Sequence, residues 1–495
     1  MSAIPDDDLA LYEILRNHDV RFDGQVYVGV SSTGIYCRPV CRARRPKREN
    51  CTFFTHAAVA EKAGFRPCLL CRPELAPGNT KVDALSRLAH LAVRRIEDGA
   101  LNDMSVAALA AEFGVSDRHL RRAMNNELGV TPIELAQTQR LLQAKQLLTE
   151  SDLSVTEIAF AAGFESLRRF NALFKSRYRM APSALRRDYR QASGAHQQDT
   201  IRLTQYRIDY RPPFYFDGLL GFLSGRAIPG VERVTPSGYQ RTVRIGEHAG
   251  WLSVQRHEGH GRKGHALSLQ ISDGLRPAII PVLARIKAVF DTRADIVAIE
   301  QALSRDPMLA AMVSARVGLR VPGAFDGFEL LVRAILGQQV SVKGATTLSG
   351  RLAGQFGEKI DDAPDDLSVI TPSAEGLARA TVAQIAAIGL PRKRAETIHL
   401  AAKAVSAGDV TLSPGADPER VSEQLQSIPG IGEWTSAYVA MRALAWPDAI
   451  PLGDLGIRKA LGLNKAKAIA NRAETWAPWR AYAAMHLWAS LAQAG

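Results

Sequence analysis

Residues 425–444 read LQSIPGIGEWTSAYVAMRAL, and this stretch decides the fold of the C-terminal part of the chain. Within it, Pro429-Gly430-Ile431-Gly432 predicts a tight hairpin between two helices. Glycines let the backbone approach a phosphate closely, and the start of the following helix offers free N–H groups to that phosphate. The stretch therefore predicts a helix-hairpin-helix that anchors DNA without reading its sequence, with Gly430 and Gly432 at the contact.

A carboxylate follows the hairpin in PLGDLGIRKAL, where Asp454 stands directly before a predicted helix. Aspartate at such a position commonly caps the helix by accepting a backbone hydrogen bond. A carboxylate beside a DNA anchor can also stabilise positive charge on a reacting sugar. The residues alone leave both interpretations of Asp454 open.

The hairpin and the aspartate together resemble the helix-hairpin-helix DNA glycosylase superfamily. Three further stretches narrow the resemblance to AlkA-type 3-methyladenine DNA glycosylases over residues 203–495: YRPPFYFDGLLGFLSGRAIPGVERV (210–234), FELLVRAILGQQVSVKGATTL (328–348) and WAPWRAYAAMHLWA (476–489). This resemblance implies that Asp454 is the catalytic carboxylate and that an aromatic pocket receives the base. The implied pocket walls are Trp434, Tyr438, Trp488 and Phe222.

The resemblance also implies a reaction. Trp434 stands where bifunctional relatives have a lysine nucleophile, so neither Schiff-base chemistry nor strand cleavage is expected, and the glycosylase needs no cofactor. The damaged nucleotide would flip out of the stack, and aromatic faces would favour a base made cationic by alkylation, such as 3-methyladenine or 7-methylguanine. Asp454 would then stabilise the oxocarbenium-like sugar or orient the attacking water.

One position departs from the AlkA pattern. The family has a leucine after a Gly-Gln pair, and this leucine wedges into the gap left by the flipped base. Here the position is occupied by Gln339, which follows Gln338. We expect both glutamines to contact DNA, with a polar wedge replacing apolar intercalation.

All five cysteines lie before residue 72, which favours a metal or reactive-thiol site over a disulfide framework. The pairs Cys37-x3-Cys41 and Cys68-x2-Cys71 can close a tetrahedral four-thiolate zinc site, and Cys51 is left over. The first pair lies in GIYCRPVCRARRPKR, where Arg44 and Arg45 are among the cations that can dock phosphates. From the spacing, a purely structural zinc knuckle and a reactive site both remain open.

The stretches YVGVSSTGIYCRPVCRARRPKRENCTFF and AGFRPCLLCRPE closely resemble the N-terminal zinc domain of the Ada alkylation-response protein. In that family the first cysteine of the cluster accepts a methyl group from a methylphosphotriester in the DNA backbone. By motif position this methyl acceptor is Cys37, with Cys41, Cys68 and Cys71 as companion zinc ligands. A zinc-bound thiolate stays deprotonated yet nucleophilic, and its methylation would remove one negative charge and raise affinity for DNA.

A repeat joins these two regions: SVAALAAEFGVSDRHLRRAMNNELGVTP at 105–132 and SVTEIAFAAGFESLRRFNALFKSRYRMAP at 154–182. Each copy predicts a helix-turn-helix, with Gly114 or Gly163 ending the first helix and Ser116 or Ser166 capping the second. The second helices would present basic residues to the DNA major groove. These residues are Arg118, Arg121, Arg122, Arg168 and Arg169. Two such copies resemble the AraC-type DNA-binding domain, although Arg179 replaces its usual glycine, so an altered last turn is expected.

The whole chain, at 495 residues, is too long for one core and predicts a multidomain protein, mainly α with α+β parts. Strand-like runs (TQYRIDY, YQRTVRI, GWLSVQR and HALSLQI) add an antiparallel sheet to the third domain. The expected division is a small zinc domain at 1–78, an all-α double helix-turn-helix domain at 79–187, a linker at 188–200, an α+β domain at 201–291 and an all-α glycosylase domain at 292–495.

The net charge of +12 favours a polyanionic partner, nucleic acid before membrane. The resemblances imply that this partner is double-stranded DNA, alkylated or promoter, with RNA polymerase as a further one. No apolar run is long enough to span a bilayer and the N-terminus lacks a signal-peptide pattern, so we expect a cytoplasmic, nucleoid-associated bacterial protein. No Pro-Cys-His-Arg signature of guanine-O6 repair is found.

The preferred hypothesis is a fusion of methylphosphotriester sensor, transcription activator and alkylbase glycosylase. The alternatives are a transcription regulator whose glycosylase half only binds DNA, and an enzyme with a decayed sensor.

Overall fold

The computed structural model describes residue 5 and residues 7–76, 87–193, 204–257, 265–364 and 366–491. The expected division at residue 78 lies outside these ranges, as does the expected linker from residue 194 onward. The chain forms two compact units. Unit 1 comprises Met1–Pro212, His257–Ala284 and Thr292–Asp295, and unit 2 comprises Pro213–Arg256, Arg285–Asp291 and Ile296–Gly495.

Unit 1 begins with helix α1 (Asp8–Arg16), a small sheet and helix α2 (Ala57–Lys62). The sheet strands are β1 (Tyr27–Val30), β2 (Ile35–Cys37), β3 (Cys51–Phe54) and β4 (Arg66–Pro67), in the order β3-β1-β2-β4. Strands β2 and β4 are parallel neighbours, with Tyr36 opposite Pro67. Because Cys37 and Cys68 each follow one of these residues, the parallel pairing brings the two halves of the cysteine pattern together.

Eight helices follow in the described part of unit 1. They are α3 (Arg87–Glu97), α4 (Ala100–Asp103), α5 (Val106–Glu112), α6 (Asp117–Leu128), α7 (Pro132–Glu150), α8 (Val155–Ala161), α9 (Leu167–Tyr178) and α10 (Pro182–Ser193). Both predicted caps are confirmed, since the hydroxyls of Ser116 and Ser166 accept backbone hydrogen bonds at the starts of α6 and α9. Arg179 takes the same left-handed conformation after α9 that Gly129 takes after α6, so the expected alteration of the last turn is absent.

Unit 1 also contains β5 (Thr204–Asp209), which pairs antiparallel with β9 (Ala266–Ile271). Unit 2 contains helix α11 (Phe216–Ser224) and the antiparallel strands β6 (Glu232–Thr235), β7 (Gly238–Ile245) and β8 (His248–Arg256). The four predicted strand runs correspond to β5, β7, β8 and β9. Strand β6 was not predicted because its sequence, ERVT, does not alternate apolar and polar residues as a half-buried strand does. In the structure all four of its residues are half-buried.

The rest of unit 2 is helical apart from a short pair of strands, β10 (Glu358–Lys359) and β11 (Val369–Ile370). Helix α12 (Ile279–Val289) precedes this part of the chain. The further helices are α13 (Ile296–Leu303), α14 (Pro307–Ala315), α15 (Gly327–Leu336), α16 (Val342–Phe356), α17 (Ala374–Arg379), α18 (Val382–Ala386), α19 (Arg392–Ser406), α20 (Pro418–Gln426), α21 (Glu433–Arg442), α22 (Leu455–Leu461), α23 (Ala466–Ala473) and α24 (Arg480–Leu491). Helix α21 packs against α15 and α20, and α22 packs against α24. None of the described helices is long and apolar enough to cross a membrane.

Candidate functional site

The carboxylate of Asp454 is held by three N–H donors from different parts of unit 2. Its Oδ1 accepts from the Trp488 indole at 2.8 Å and from the Ile457 backbone N–H at 2.9 Å. Its Oδ2 accepts from the Trp434 indole at 3.0 Å. Asp454 is therefore the N-cap of α22, as the cap interpretation predicts. The two indoles add a constraint that a cap does not need, because they fix both oxygens at the surface of a cleft.

The indoles belong to a group of aromatic rings along α21 and α24. Trp434 and Tyr438 stack with centroids 5.3 Å apart and planes 7° apart, since residues four apart share one face of a helix. The Tyr438 ring lies 6.3 Å from that of Trp488. Gly456 permits this arrangement, because a Cβ there would lie 3.0 Å from both the Asp454 carboxylate and the Trp488 ring.

The hairpin between α20 and α21 is fixed by hydrogen bonds from the side chains of Thr397 and Gln338. Gly430 has a φ of +91°, and a Cβ on it would lie 2.1 Å from the Thr397 hydroxyl. That hydroxyl donates to the Pro429 carbonyl at 2.9 Å. The Gln338 amide donates to the Gly430 carbonyl at 3.0 Å and to the Thr435 hydroxyl at 3.2 Å. Gln338 thus ties the loop before α16 to the hairpin, while Gly432 remains exposed.

Gln339 lies at the tip of the loop between α15 and α16. Its φ is +58°, and the residue is exposed at the cleft. An exposed side chain on a left-handed residue projects from the loop and is free of the packing that holds its neighbour Gln338. This placement is compatible with the polar wedge that the sequence predicts at this position, which stays a prediction.

One cleft of about 1090 Å³ contains nearly all the C-terminal residues singled out from the sequence. Its lining includes Gln338, Gln339, Gly430, Gly432, Trp434, Tyr438, Asp454 and Trp488. Phe222 is not among the lining residues, because the guanidinium of Arg226 covers its ring at 3.8 Å from the centroid. Phe222 therefore contacts the cleft through Arg226.

Three arginines at or beside this cleft were not singled out from the sequence, namely Arg226, Arg333 and Arg442. Arg442, in α21, donates to the Tyr438 hydroxyl at 2.6 Å, and Arg226 follows α11 and lines the cleft. Burial raises the pKa of the Tyr438 phenol, but Arg442, Arg226 and Arg333 lower it by more, so this pKa lies below its ordinary value. Arg333 and Arg442 carried a sequence signal, because both interrupt apolar helical stretches, where a charged side chain needs a partner. Arg226, in the loop after α11, carried none.

The four cysteines form a second site, in unit 1. The sulfurs of Cys37, Cys41, Cys68 and Cys71 all lie within 4.8 Å of one another. Cys51 is buried elsewhere and donates to the Lys47 carbonyl at 3.3 Å. Hydrogen bonds from the neighbouring thiols lower the pKa of Cys68 and raise that of Cys37. Four soft sulfur donors at this separation fit a tetrahedral zinc ion.

Arg38, next to Cys37, is buried rather than turned towards solvent, unlike Arg44 and Arg45. Its guanidinium forms an ion pair with Asp23 and donates to Asp209 at 3.2 Å and to the Cys71 carbonyl at 3.1 Å. Its backbone N–H donates to the Cys71 sulfur at 3.3 Å. Arg38 thus fixes the loop that carries the cysteines to strand β5, and it does not face a DNA phosphate.

Replacing Arg38 with methionine is expected to destabilise the chain by about 3–5 kcal/mol, because the buried Asp23 carboxylate would lose its cation, while Asp209 keeps its ion pair with Arg207. The free energy of unfolding in urea, followed by circular dichroism, measures the effect. The control is Arg48→Met, which removes an ion pair with Asp8 whose side chains are 35% and 61% exposed, and it should cost no more than about 1 kcal/mol. Equal losses in the two variants would contradict the buried ion cluster.

The predicted DNA-reading residues of the repeat lie on α6 and α9. Arg118, Arg121 and Arg122 in the first copy and Arg168 and Arg169 in the second are all exposed. The opposite faces are buried through Leu120, Met124, Phe170 and Phe174. Each helix is therefore amphipathic, with its basic face available to a polyanion.

Four family models match successive parts of the chain. They are "Metal binding domain of Ada" at 10–74, "Helix-turn-helix domain" at 109–188, "AlkA N-terminal domain" at 205–326 and "HhH-GPD superfamily base excision DNA repair protein" at 332–475. A protein of Mycobacterium tuberculosis described as "Probable bifunctional transcriptional activator/DNA repair enzyme AlkA" is 37% identical over 98% of this chain and 97% of its own length. The chain belongs to this bifunctional AlkA family.

One further relative and one solved structure match about the same share of this chain, 57% in each case. "DNA-3-methyladenine glycosylase 2" of Escherichia coli is 37% identical over 57% of this chain and 96% of its own length. A solved structure, "3-methyladenine dna-glycosylase from Archaeoglobus fulgidus", covers 57% of this chain and 97% of its own, with 20% identity and a TM-score of 0.50. The sequence-based resemblances to Ada-type, AraC-type and AlkA-type domains are thereby confirmed, as is the multidomain, mainly helical fold. This member of the family joins a DNA repair glycosylase to a regulator of transcription.

Proposed function

We propose that this chain releases alkylated bases from double-stranded DNA by hydrolysing the N-glycosidic bond, with Asp454 as the catalytic carboxylate. The observation that carries the proposal is the pair of indole hydrogen bonds from Trp434 and Trp488 that fix Asp454 beside stacked aromatic rings. A fixed carboxylate at a cleft lined by aromatic faces can stabilise an oxocarbenium-like sugar or orient water towards it. The same rings stack against a flipped base.

The reaction follows from this arrangement. The bond between C1′ and the base nitrogen breaks, and its electron pair stays with the base. Water adds to C1′ and loses a proton, so the products are the free base and an abasic sugar. Lysine is absent from the nucleophile position, which Trp434 occupies, so we assign hydrolysis without strand cleavage and without a cofactor.

DNA would be held at the cleft of unit 2 that contains Asp454, because the hairpin glycines also line this cleft. The exposed Gly432 and the left-handed Gly430 leave the hairpin backbone open to a phosphate. Gln338 fixes the hairpin, and Gln339 would enter the duplex at the flipped nucleotide.

Promoter DNA would be bound by the exposed arginines of α6 and α9, with RNA polymerase as a further partner in the bacterial nucleoid. These arginines are Arg118, Arg121, Arg122, Arg168 and Arg169.

Membership of the family supports the domain division expected from the sequence. We assign the zinc domain to 1–78, the helix-turn-helix domain to 79–187, the linker to 188–200, the α+β domain to 201–291 and the glycosylase domain to 292–495. Helix α10 continues through residues 188–193, so the first part of the assigned linker is helical.

We further propose that Cys37 accepts a methyl group from a DNA methylphosphotriester. Cys37 is the last residue of strand β2 and, like Cys71, is partly exposed, whereas Cys41 and Cys68 are buried. Of the two partly exposed cysteines, Cys37 is the one at the position of the first cysteine of the Ada motif. The four cysteines would hold zinc, which keeps their sulfurs as thiolates when bound. The Cys37 sulfur attacks the methyl carbon, and the phosphodiester leaves with the electron pair of the broken C–O bond. The cluster loses one negative charge near Arg44 and Arg45, and affinity for phosphate rises.

The methyl acceptor is tested by peptide mass analysis after exposure to DNA that contains methylphosphotriesters. We expect the mass gain of one methyl group on the Cys37 peptide and no gain in Cys37→Ser. Methylation of Cys51, or of no cysteine, would disprove the assignment. A cluster that binds zinc without accepting methyl would be the structural knuckle.

The regulator-only alternative is tested separately. Wild-type chain incubated with methylated DNA should release free 7-methylguanine, detected by chromatography, and a chain that only binds DNA would release none.

A further inference from the structure

Arg226 and Arg333 line the cleft, and Arg442 contacts its Tyr438; among the described residues, only Arg333 of these three forms an ion pair with a carboxylate. Arg333 forms an ion pair with Glu232. The hydrogen bonds of Arg442 go to neutral oxygens, namely the carbonyls of Pro322 and Gly323 and the Tyr438 hydroxyl. Arg226 donates to the Phe222 carbonyl at 3.2 Å, which is also neutral. The positive charges of Arg226 and Arg442 are therefore not neutralised by a carboxylate in contact among the described residues, and of these two only Arg226 lines the cleft.

Arg226 is the one of these two that reaches the cleft surface. It lines the cleft together with Tyr438, Trp434 and Asp454, and its guanidinium carbon lies over the Phe222 ring, 3.8 Å from the centroid. Stacking on Phe222 holds the planar group in one orientation. A guanidinium has five N–H donors, so the contacts with the Phe222 carbonyl and the Tyr438 hydroxyl leave donors for a bound molecule.

A cation in this place has opposite consequences for two kinds of damaged base. A base alkylated on a ring nitrogen is cationic and leaves as a neutral molecule, so a neighbouring guanidinium repels it and does not help it to leave. An uncharged base leaves with a negative charge on its ring nitrogens and carbonyl oxygens. Donors aimed at a developing negative charge in a pocket that excludes water stabilise the transition state.

We infer that Arg226 is a specificity-determining residue, which donates hydrogen bonds to the departing base and so favours excision of uncharged damaged purines relative to cationic ones. In this step the C1′–N bond breaks and its electron pair goes to the base. Arg226 keeps its proton and stabilises the resulting anion. Water supplies hydroxide to C1′ and, through solvent, the proton that finally neutralises the base.

The aromatic rings and Arg226 therefore have different roles in recognition: the rings bind the base by stacking, and Arg226 distinguishes bases by their charge. Trp434, Tyr438 and Trp488 all line the cleft, and an aromatic face there can stack on a planar base whether or not the base is charged. The difference between lesions arises at Arg226, where the charge of the base is sensed. Burial and the neighbouring Arg442 lower the pKa of Arg226, which is the expected direction for a cation placed beside other cations in a partly dry pocket.

The test compares two lesions in one preparation, because the ratio of their rates is independent of the folded fraction. Single-turnover release of hypoxanthine, an uncharged purine, and of 7-methylguanine, a cationic one, is measured in matched duplexes. Arg226→Gln keeps a hydrogen-bond donor but removes the charge. We expect it to lower hypoxanthine release about ten- to hundredfold and to leave 7-methylguanine release within about twofold, or to raise it.

Arg226→Lys and Arg233→Gln complete the design. Arg226→Lys keeps the charge and should retain more of the hypoxanthine activity than Arg226→Gln. Arg233, paired with Asp366 and outside the cleft, is the matched control, and its ratio should not change. Equal losses on both lesions, an unchanged ratio in Arg226→Gln, or no hypoxanthine release by the wild-type chain would overturn the inference.

This assignment rests on the proposed base pocket, yet the two fail in different ways. Without release of either lesion by the wild-type chain, the proposed glycosylase function is wrong. Release of 7-methylguanine without the predicted change of ratio leaves that function intact and removes only the part assigned to Arg226.

Discussion

Asp454→Asn is expected to slow single-turnover release of 7-methylguanine at least about 10²- to 10³-fold. Asparagine keeps an oxygen that can cap α22, so the helix should still begin at Leu455. Asparagine has no negative charge, and its amide NH2 group replaces one of the two carboxylate oxygens. In the wild-type chain each of these oxygens accepts a hydrogen bond from an indole N–H, Oδ1 from Trp488 and Oδ2 from Trp434. Two donors then face each other, and the side chain can no longer stabilise a sugar cation.

Asp417→Asn is the matched control for this variant. Asp417 also caps a helix of unit 2, accepting from the Glu419 and Arg420 backbone N–H groups, but it lies outside the cleft. Its release rate should stay within about twofold of wild type, since asparagine caps a helix nearly as well. Wild-type rates in Asp454→Asn would show that Asp454 is only a cap and would favour a DNA-binding module.

Cys41→Ala is expected to abolish methyl transfer to Cys37 and to remove most bound zinc. Cys41 is buried, with 5% of its surface exposed, and its sulfur lies in the four-sulfur cluster. Three thiolates leave one zinc coordination position without a protein ligand, so the affinity of the cluster for zinc falls. Zinc binding then contributes less free energy to the folding of the surrounding loops. Zinc is measured by metal analysis after equilibration with a chelator, and methyl transfer by the mass of the Cys37 peptide.

Cys51→Ala provides the comparison for that variant, because Cys51 is similarly buried, with 7% of its surface exposed, but lies outside the cluster. We expect wild-type zinc content, about one ion per chain, and wild-type methyl transfer. Zinc loss in Cys51→Ala, or full zinc retention in Cys41→Ala, would contradict the assigned ligand set.

Local patterns were sufficient for much of the architecture. The caps Ser116 and Ser166, the left-handed Gly114 and Gly163 and the hairpin around Gly430 depend on chemistry within a few residues, and the structure places each as expected. The two cysteine pairs could likewise be grouped from spacing. Strand β6 could not be found this way, because its pairing with β7, and not its own pattern, makes it a strand.

What the sequence determined by itself is the set of groups with chemical function: four thiols, one aspartate after a hairpin, and aromatic residues at helical spacing. Only the tertiary structure decided how their charges are partnered. It directs two indoles from α21 and α24 onto Asp454, buries Arg38 between Asp23 and Asp209, and places Arg226 between Phe222 and the cleft. The physical reason is that hydrogen bonds and ion pairs act over a few ångströms, whereas these partners, apart from Phe222 and Arg226, lie 15 to 171 residues apart along the chain.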